Sequence, residues 1–130
     1  MLLQAPVISI VDDDESVREA TKGLVRSLGY TAVTFGSAEE FLSSERMPET
    51  SCIIADVQMP GVSGVEMQDR LIAEGHRLPV IFITAFPEDR VRERALEAGA
   101  IGYLSKPFNE EHLIGCLDKA LGNRAPGRPS

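Results

Sequence analysis

Five short stretches of the chain are apolar or β-branched and are closed by polar or turn-forming residues: 7–11, 31–35, 52–55, 80–83 and 101–104. Apolar runs of about four to eight residues bounded in this way suit parallel strands covered on both faces. Residues 31–35 alternate instead, which predicts an edge strand. Between the runs the period changes. Val17, Ala20, Leu24, Val25 and Leu28 follow helical spacing, with Asp14 as a good N-cap and Gly29 as a stop. Ser37 with Glu40 and Ser63 with Glu66 have the spacing of capping boxes, and they open helices through Phe41 and Leu42 and through Met67, Leu71 and Ile72. Pro87, Glu88 and Asp89 suit the first turn of a further helix carrying Val91, Ala95 and Ala98. Asn109 caps a last one, with Leu113, Ile114, Leu117 and Leu121 on one stripe. Residues 45–51 read as a polar loop.

Strand and helix therefore alternate five times. Parallel strands joined by right-handed helical crossovers are the expected assembly, a doubly wound α/β sheet with five strands and five helices. Such sheets bind ligands at the carboxyl ends of their strands. Asp12, Asp13, Asp56, Thr84 and Lys106 all fall at that edge.

At 130 residues the chain fits one domain, assigned to residues 5–122, and residues 123–130 turn to Gly, Pro and Arg without apolar periodicity, as a linker does. Thirteen basic and 20 acidic residues give a net charge of −7. That balance argues against direct nucleic-acid binding by this segment and against an anionic membrane surface. No stretch is long and apolar enough to span a membrane and no signal peptide is visible, so a cytoplasmic location is expected. Cys52 and Cys116 read as buried thiols in a reducing compartment.

Charge at the strand ends changes the picture further. Gathering Asp12, Asp13 and Asp56 costs on the order of a few kcal/mol per close pair at an effective dielectric near 20. A hard cation would relieve this, and carboxylates with carbonyl and water oxygens suit Mg²⁺. Lys106 adds a point cation and Thr84 a hydroxyl, so the set could support phosphoryl transfer to Asp56. Each residue also has a plainer reading: Asp56 as an Asx turn, Asp14 as a cap, Thr84 as a β residue, Lys106 as a solvated charge and Tyr103 as packing. His76 and His112 lie away from the strand ends and receive no role.

Val11-Asp12-Asp13-Asp14, Asp56 through Gly61 with Gly64, Thr84-Ala85 and Lys106-Pro107-Phe108 together resemble the motif set of response-regulator receiver domains in two-component signalling. The pattern from Ser37 to Leu42 is most similar to the FixJ-type branch, whose members carry a C-terminal DNA-binding output domain. The resemblance implies a flavodoxin-like strand order 2-1-3-4-5 and a sensor histidine kinase that phosphorylates Asp56. It implies Mg²⁺ held by Asp13, Asp56 and the carbonyl of Gln58, with Asp12 assisting. Lys106 and Thr84 would hold the phosphoryl oxygens, and Thr84 and Tyr103 would form the switch. It also implies a cis Lys106-Pro107 bond and a homodimer through the face of the fourth helix, fifth strand and fifth helix, where Arg90, Arg92, Arg94, Asp118 and Lys119 are expected. The expected role is control of a transcriptional output domain absent from this chain, and four alternatives stay open: a stand-alone receiver, a haloacid-dehalogenase-like phosphatase with Asp12 as nucleophile, a flavin mononucleotide carrier, and a pseudo-receiver that signals by binding alone.

Overall fold

The computed structural model describes residues 5–122. The expected linker at 123–130 lies outside the described residues. The elements run β1 (Val7–Val11), α1 (Glu15–Ser27), β2 (Thr31–Phe35), α2 (Ala38–Ser43), a 3-10 turn (Met47–Glu49), β3 (Cys52–Asp56), α3 (Gly64–Ala73), β4 (Val80–Thr84), α4 (Asp89–Glu97), β5 (Gly102–Ser105) and α5 (Glu110–Ala120). The sheet is parallel, in the order β2-β1-β3-β4-β5, so the alternating segment 31–35 is indeed an edge.

Period two along the strands divides the core into two layers. Ile53, Ala55, Phe82 and Val11 face one side with Phe41, Met67, Leu71 and Ala95. Ile8, Ile10, Cys52, Ile54, Ile81 and Ile83 face the other with Val25, Leu113 and Leu117. β3 and β4 are thus buried at every position, and apolar up to the Asp56 and Thr84 that end them, because both faces are covered. Each fully buried Ile, Leu or Phe contributes roughly 1.5–3 kcal/mol of transfer free energy. The same alternation carries past the strand ends. Asp12 and Asp56 continue the row that faces α1 and α5, whereas Thr84 and Tyr103 continue the row that faces α4.

Caps follow the sequence closely. Asp14 accepts the N–H of Val17, Ser37 that of Glu40 and Asn109 that of His112. At α3 the box closes on both sides, the Glu66 carboxylate taking the N–H of Ser63 while Ser63 Oγ takes that of Glu66. The Ser63 N–H donated to the ionised carboxylate, with the Ser63 side chain adding to it, holds Glu66 below the usual carboxylate range.

Four expectations need correction. Pro87 precedes α4 rather than opening it: the helix starts at Asp89, with Glu88 as an N-cap that makes no side-chain capping bond. The segment 45–51 is not all loop, because Pro48 seeds a 3-10 turn whose Met47 is buried in the same core layer as Phe35 and Phe41. Cys116 is only partly buried, although both cysteines are free. Arg94 pairs with Asp69 of α3 and Asp118 is buried, so neither stands free on the α4-β5-α5 face. Arg90, Arg92 and Lys119 remain exposed there.

Candidate functional site

Three neighbouring strands end in the same local device. Asp12 Oδ1 accepts the N–H of Asp14 at 2.8 Å, Asp56 Oδ1 that of Gln58 at 3.1 Å, and Thr84 Oγ1 that of Phe86 at 3.1 Å. The short polar side chain bonds the backbone two residues on and turns the chain out of the sheet. The plain reading of Asp56 as an Asx turn is therefore correct, and it accounts for one oxygen of each carboxylate. The other oxygens face each other. Register places Val11 beside Ala55 and Asp56 beside Ile83, which brings Asp12 next to Asp56.

Lys106 reaches into this space from beyond β5, where its own N–H donates to Thr84 O at 2.7 Å. Its Nζ donates to Asp56 Oδ2 at 3.0 Å and lies 3.1 Å from Asp12 Oδ2. The Lys106-Pro107 bond is cis, as the motif implies. Burial disfavours the ammonium, but the bonds to Asp56 and Asp12 and the attraction of both charges outweigh it and hold Lys106 above its ordinary value. Asp12 is fully enclosed, and desolvation pushes its carboxyl up against the opposing influence of the Asp14 N–H and Lys106. Its ion pair with Lys106 leaves Asp12 Oδ2 without a well-aligned hydrogen bond.

A single carboxylate oxygen from each of Asp12, Asp13 and Asp56 can be chosen so that all three lie within 4.8 Å of one another. Asp13 is exposed while Asp12 and Asp56 are buried, so the cluster opens to solvent on one side only. A buried acceptor without a donor, a set of oxygen donors alone and an opening to water fit a hard cation such as Mg²⁺ better than a softer metal. Gln58 is exposed directly beside Asp56. Thr84 is fully buried, and Tyr103 is half-buried with its Oη accepting the N–H of Glu88 at 3.4 Å. The predicted residues thus gather at one edge, with Thr84 and Tyr103 on its α4 side. His76 and His112 stand apart, as expected.

Two residues that support this edge were not singled out by the sequence. Arg18 Nη1 donates to the carbonyl of Asp12 at 2.7 Å and pins the acidic turn to α1. Glu39 Oε2 accepts the N–H of Val62 at 3.3 Å and ties α2 to the loop that follows Asp56. An Arg or Glu on an exposed helical stripe carries no local signal of such contacts, which depend on how the helices cross the sheet. Gly64 has a clearer reason: a Cβ there would sit 2.3 Å from the carbonyl oxygen of Asp56.

Comparison with known proteins converges on one family. The family model of the response regulator receiver domain matches residues 8–118. The chain is 42% identical over 118 residues to the response regulator protein TmoT of Ectopseudomonas mendocina, covering 91% of this chain and 54% of TmoT. A response regulator receiver protein from Burkholderia phymatum superposes with a TM-score of 0.78 at 48% identity, covering 93% of this chain and 98% of that one. FixJ-N superposes with a TM-score of 0.81 at 30% identity over 92% and 96% of the two chains. The chain spans about half the length of the curated relatives it matches.

Proposed function

The chain belongs to the response regulator receiver domain family, and from that premise we propose that Asp56 takes a phosphoryl group from the phosphohistidine of a sensor histidine kinase. In this step an Asp56 oxygen attacks phosphorus, the new P–O bond forms as the P–N bond breaks, and the histidine nitrogen leaves with the electron pair. The single observation that carries the reading is the shared lysine: one ammonium lies 3.0 Å from Asp56 Oδ2 and 3.1 Å from Asp12 Oδ2 at adjacent strand ends. Asp12, Asp13, Asp56 and the Gln58 carbonyl would hold Mg²⁺, which when bound would offset the clustered negative charge. Lys106 then orients and neutralises the phosphoryl oxygens, and Thr84 donates to one of them. In the turn Thr84 Oγ1 accepts the N–H of Phe86, which leaves its own O–H to donate, and as Thr84 is drawn to the phosphoryl group Tyr103 moves in response, biasing α4 and the face around it.

Residues 5–122 form the receiver, and 123–130 connect it to a transcriptional output domain outside this chain, in a cytoplasmic protein. The altered α4-β5-α5 face, with Arg90, Arg92 and Lys119 exposed, pairs two copies after phosphorylation. What weighs against the Asp12-phosphatase reading is Asp14, whose carboxylate caps α1 and so is not a free acid partner.

The test is intact mass after incubation with Mg²⁺ and acetyl phosphate, for the wild-type protein beside Asp56→Asn. The expected result is one added phosphoryl group in the wild type and none in the variant. Phosphorylation that survives in the variant would move the nucleophile to Asp12 and overturn the proposal.

A further inference from the structure

A second cation reaches the acidic edge from α1. Arg18 is half-buried, and its Nη1 donates to the carbonyl of Asp12 at 2.7 Å. A guanidinium close to clustered carboxylates would be expected to pair with one of them. Arg18 makes no ion pair among the described residues. Its N–H goes to a backbone oxygen instead, and past the end of β1 no backbone N–H reaches that oxygen among the described residues. We propose that Arg18 is a positioning residue for cation binding, fixing the Asp12-Asp13 peptide so that the Asp13 carboxylate stays beside those of Asp12 and Asp56. The inference rests on the reading of Asp12, Asp13 and Asp56 as Mg²⁺ ligands.

Asp13 is the member of the cluster that needs such help. Asp12 and Asp56 are buried, and each has one oxygen tied to the N–H two residues on and the other against Lys106. Asp13 is exposed, and its carboxylate makes no hydrogen bond or ion pair among the described residues. What brings one of its oxygens within 4.8 Å of the other two is therefore the course of the backbone. The Asp12 N–H donates to the Phe35 carbonyl at 3.1 Å, the Asp14 N–H to Asp12 Oδ1 at 2.8 Å, and the Asp12 carbonyl takes Arg18. The carbonyl of Asp12 and the N–H of Asp13 belong to one planar unit, so fixing the oxygen fixes the direction from which the Asp13 side chain departs. Of these anchors, Arg18 is the side chain that comes from outside the turn.

Charge and position predict opposite signs. A guanidinium beside a cation site repels Mg²⁺, so if Arg18 acted through its charge alone, removing it would tighten the metal. If it holds Asp13 in place, removing it loosens the metal by about tenfold, as loss of a residue that orients a ligand does.

The experiment is calorimetric titration of the full chain with Mg²⁺, without any phosphoryl donor, followed by the Mg²⁺ dependence of phosphoryl uptake from acetyl phosphate. Arg18→Met should bind Mg²⁺ about tenfold more weakly than the wild type, yet take up phosphoryl at close to the wild-type rate once Mg²⁺ saturates. A merely structural role would not divide affinity from rate in this way. Arg18→Lys keeps the charge but is shorter and lacks the fork, so it should lose about as much, and it carries the test if Arg18→Met does not fold. In an Asp13→Asn background, Arg18→Met should cost no further affinity, because the carboxylate it positions is already gone. Unchanged or tighter binding in Arg18→Met, or a loss undiminished in the Asp13→Asn background, would overturn this inference while leaving phosphoryl transfer to Asp56 intact. A wild type that binds no Mg²⁺ would overturn the ligand reading and this inference together.

Discussion

The two ends of the sheet are built on opposite principles. At the carboxyl end, Asp12, Asp56 and Thr84 turn three strands out of the sheet, and one lysine faces two enclosed carboxylates. At the amino end, apolar strand starts and helix ends leave a partly open cavity with a single buried amide. One end concentrates charge where water is excluded, an arrangement that costs stability and suits chemistry. The other is held by packing and tolerates slack. The glycines make the same contrast: a Cβ at Gly64 would meet backbone, whereas one at Gly102 would meet the Cys116 Sγ at 2.5 Å.

The largest effect should come from Gly64→Ala. The carbonyl of Asp56 cannot move without moving the site, and the Phe82 ring at 3.0 Å blocks retreat on the other side. We expect a loss of about 3 kcal/mol in urea unfolding, the upper end for overpacking, together with slower phosphoryl uptake. A loss below about 1 kcal/mol would mean the two ends are equally pliable.

Lys106→Met tests the charged end directly, because it leaves two enclosed carboxylates without their cation. Breaking a fully buried pair costs about 3–5 kcal/mol. With the Lys106 side chain 14% exposed and the acids able to take up protons, roughly 2 kcal/mol is expected. Mg²⁺ should restore more stability to the variant than to the wild type, a difference that thermal melts with and without the ion would measure.

Gly102→Ala should cost about 1–2 kcal/mol, and the double variant with Cys116→Ala should recover most of it, since the obstructing atom is a removable side chain. A double-mutant cycle showing no coupling would put the strain elsewhere. Cys52, beneath the same layer, should stay unreactive to alkylation near neutral pH, burial having pushed its thiol up to about 12.

The smallest effect is in pH dependence. Because burial raises the Asp12 carboxyl above its unfolded value, its contribution to stability is fully present below the unfolded value. That contribution is lost as pH rises through the folded one. Removing the proton is also what Mg²⁺ binding requires. Calorimetric Mg²⁺ affinity should therefore begin to fall at a higher pH than an ordinary carboxylate would dictate, while the metal-free protein gains stability from Asp12 over the same descent. An affinity flat down to the usual carboxylate range would remove Asp12 from the ligand set.

Much of this molecule is legible locally. Apolar runs closed by turn residues specify the strands, 3.6-residue spacing and caps specify the helices, and alternation of the two specifies a parallel sheet, because those signals act over a few residues. The carboxyl edge is legible for the same reason, since each strand must end somewhere and the residue at its end is visible. What tertiary structure alone decided are the meetings between segments far apart in the chain. That Lys106 lies against both Asp12 and Asp56 depends on strand register and on the turn after β5. That Arg94 reaches Asp69, that Asp118 is buried, and that Arg18 and Glu39 brace the acidic turns depend on how each helix is set against the sheet. Helical periodicity marks which residues share a stripe, but a charged side chain at the margin of that stripe can face water or a neighbouring helix. The crossing of the two helices decides between them.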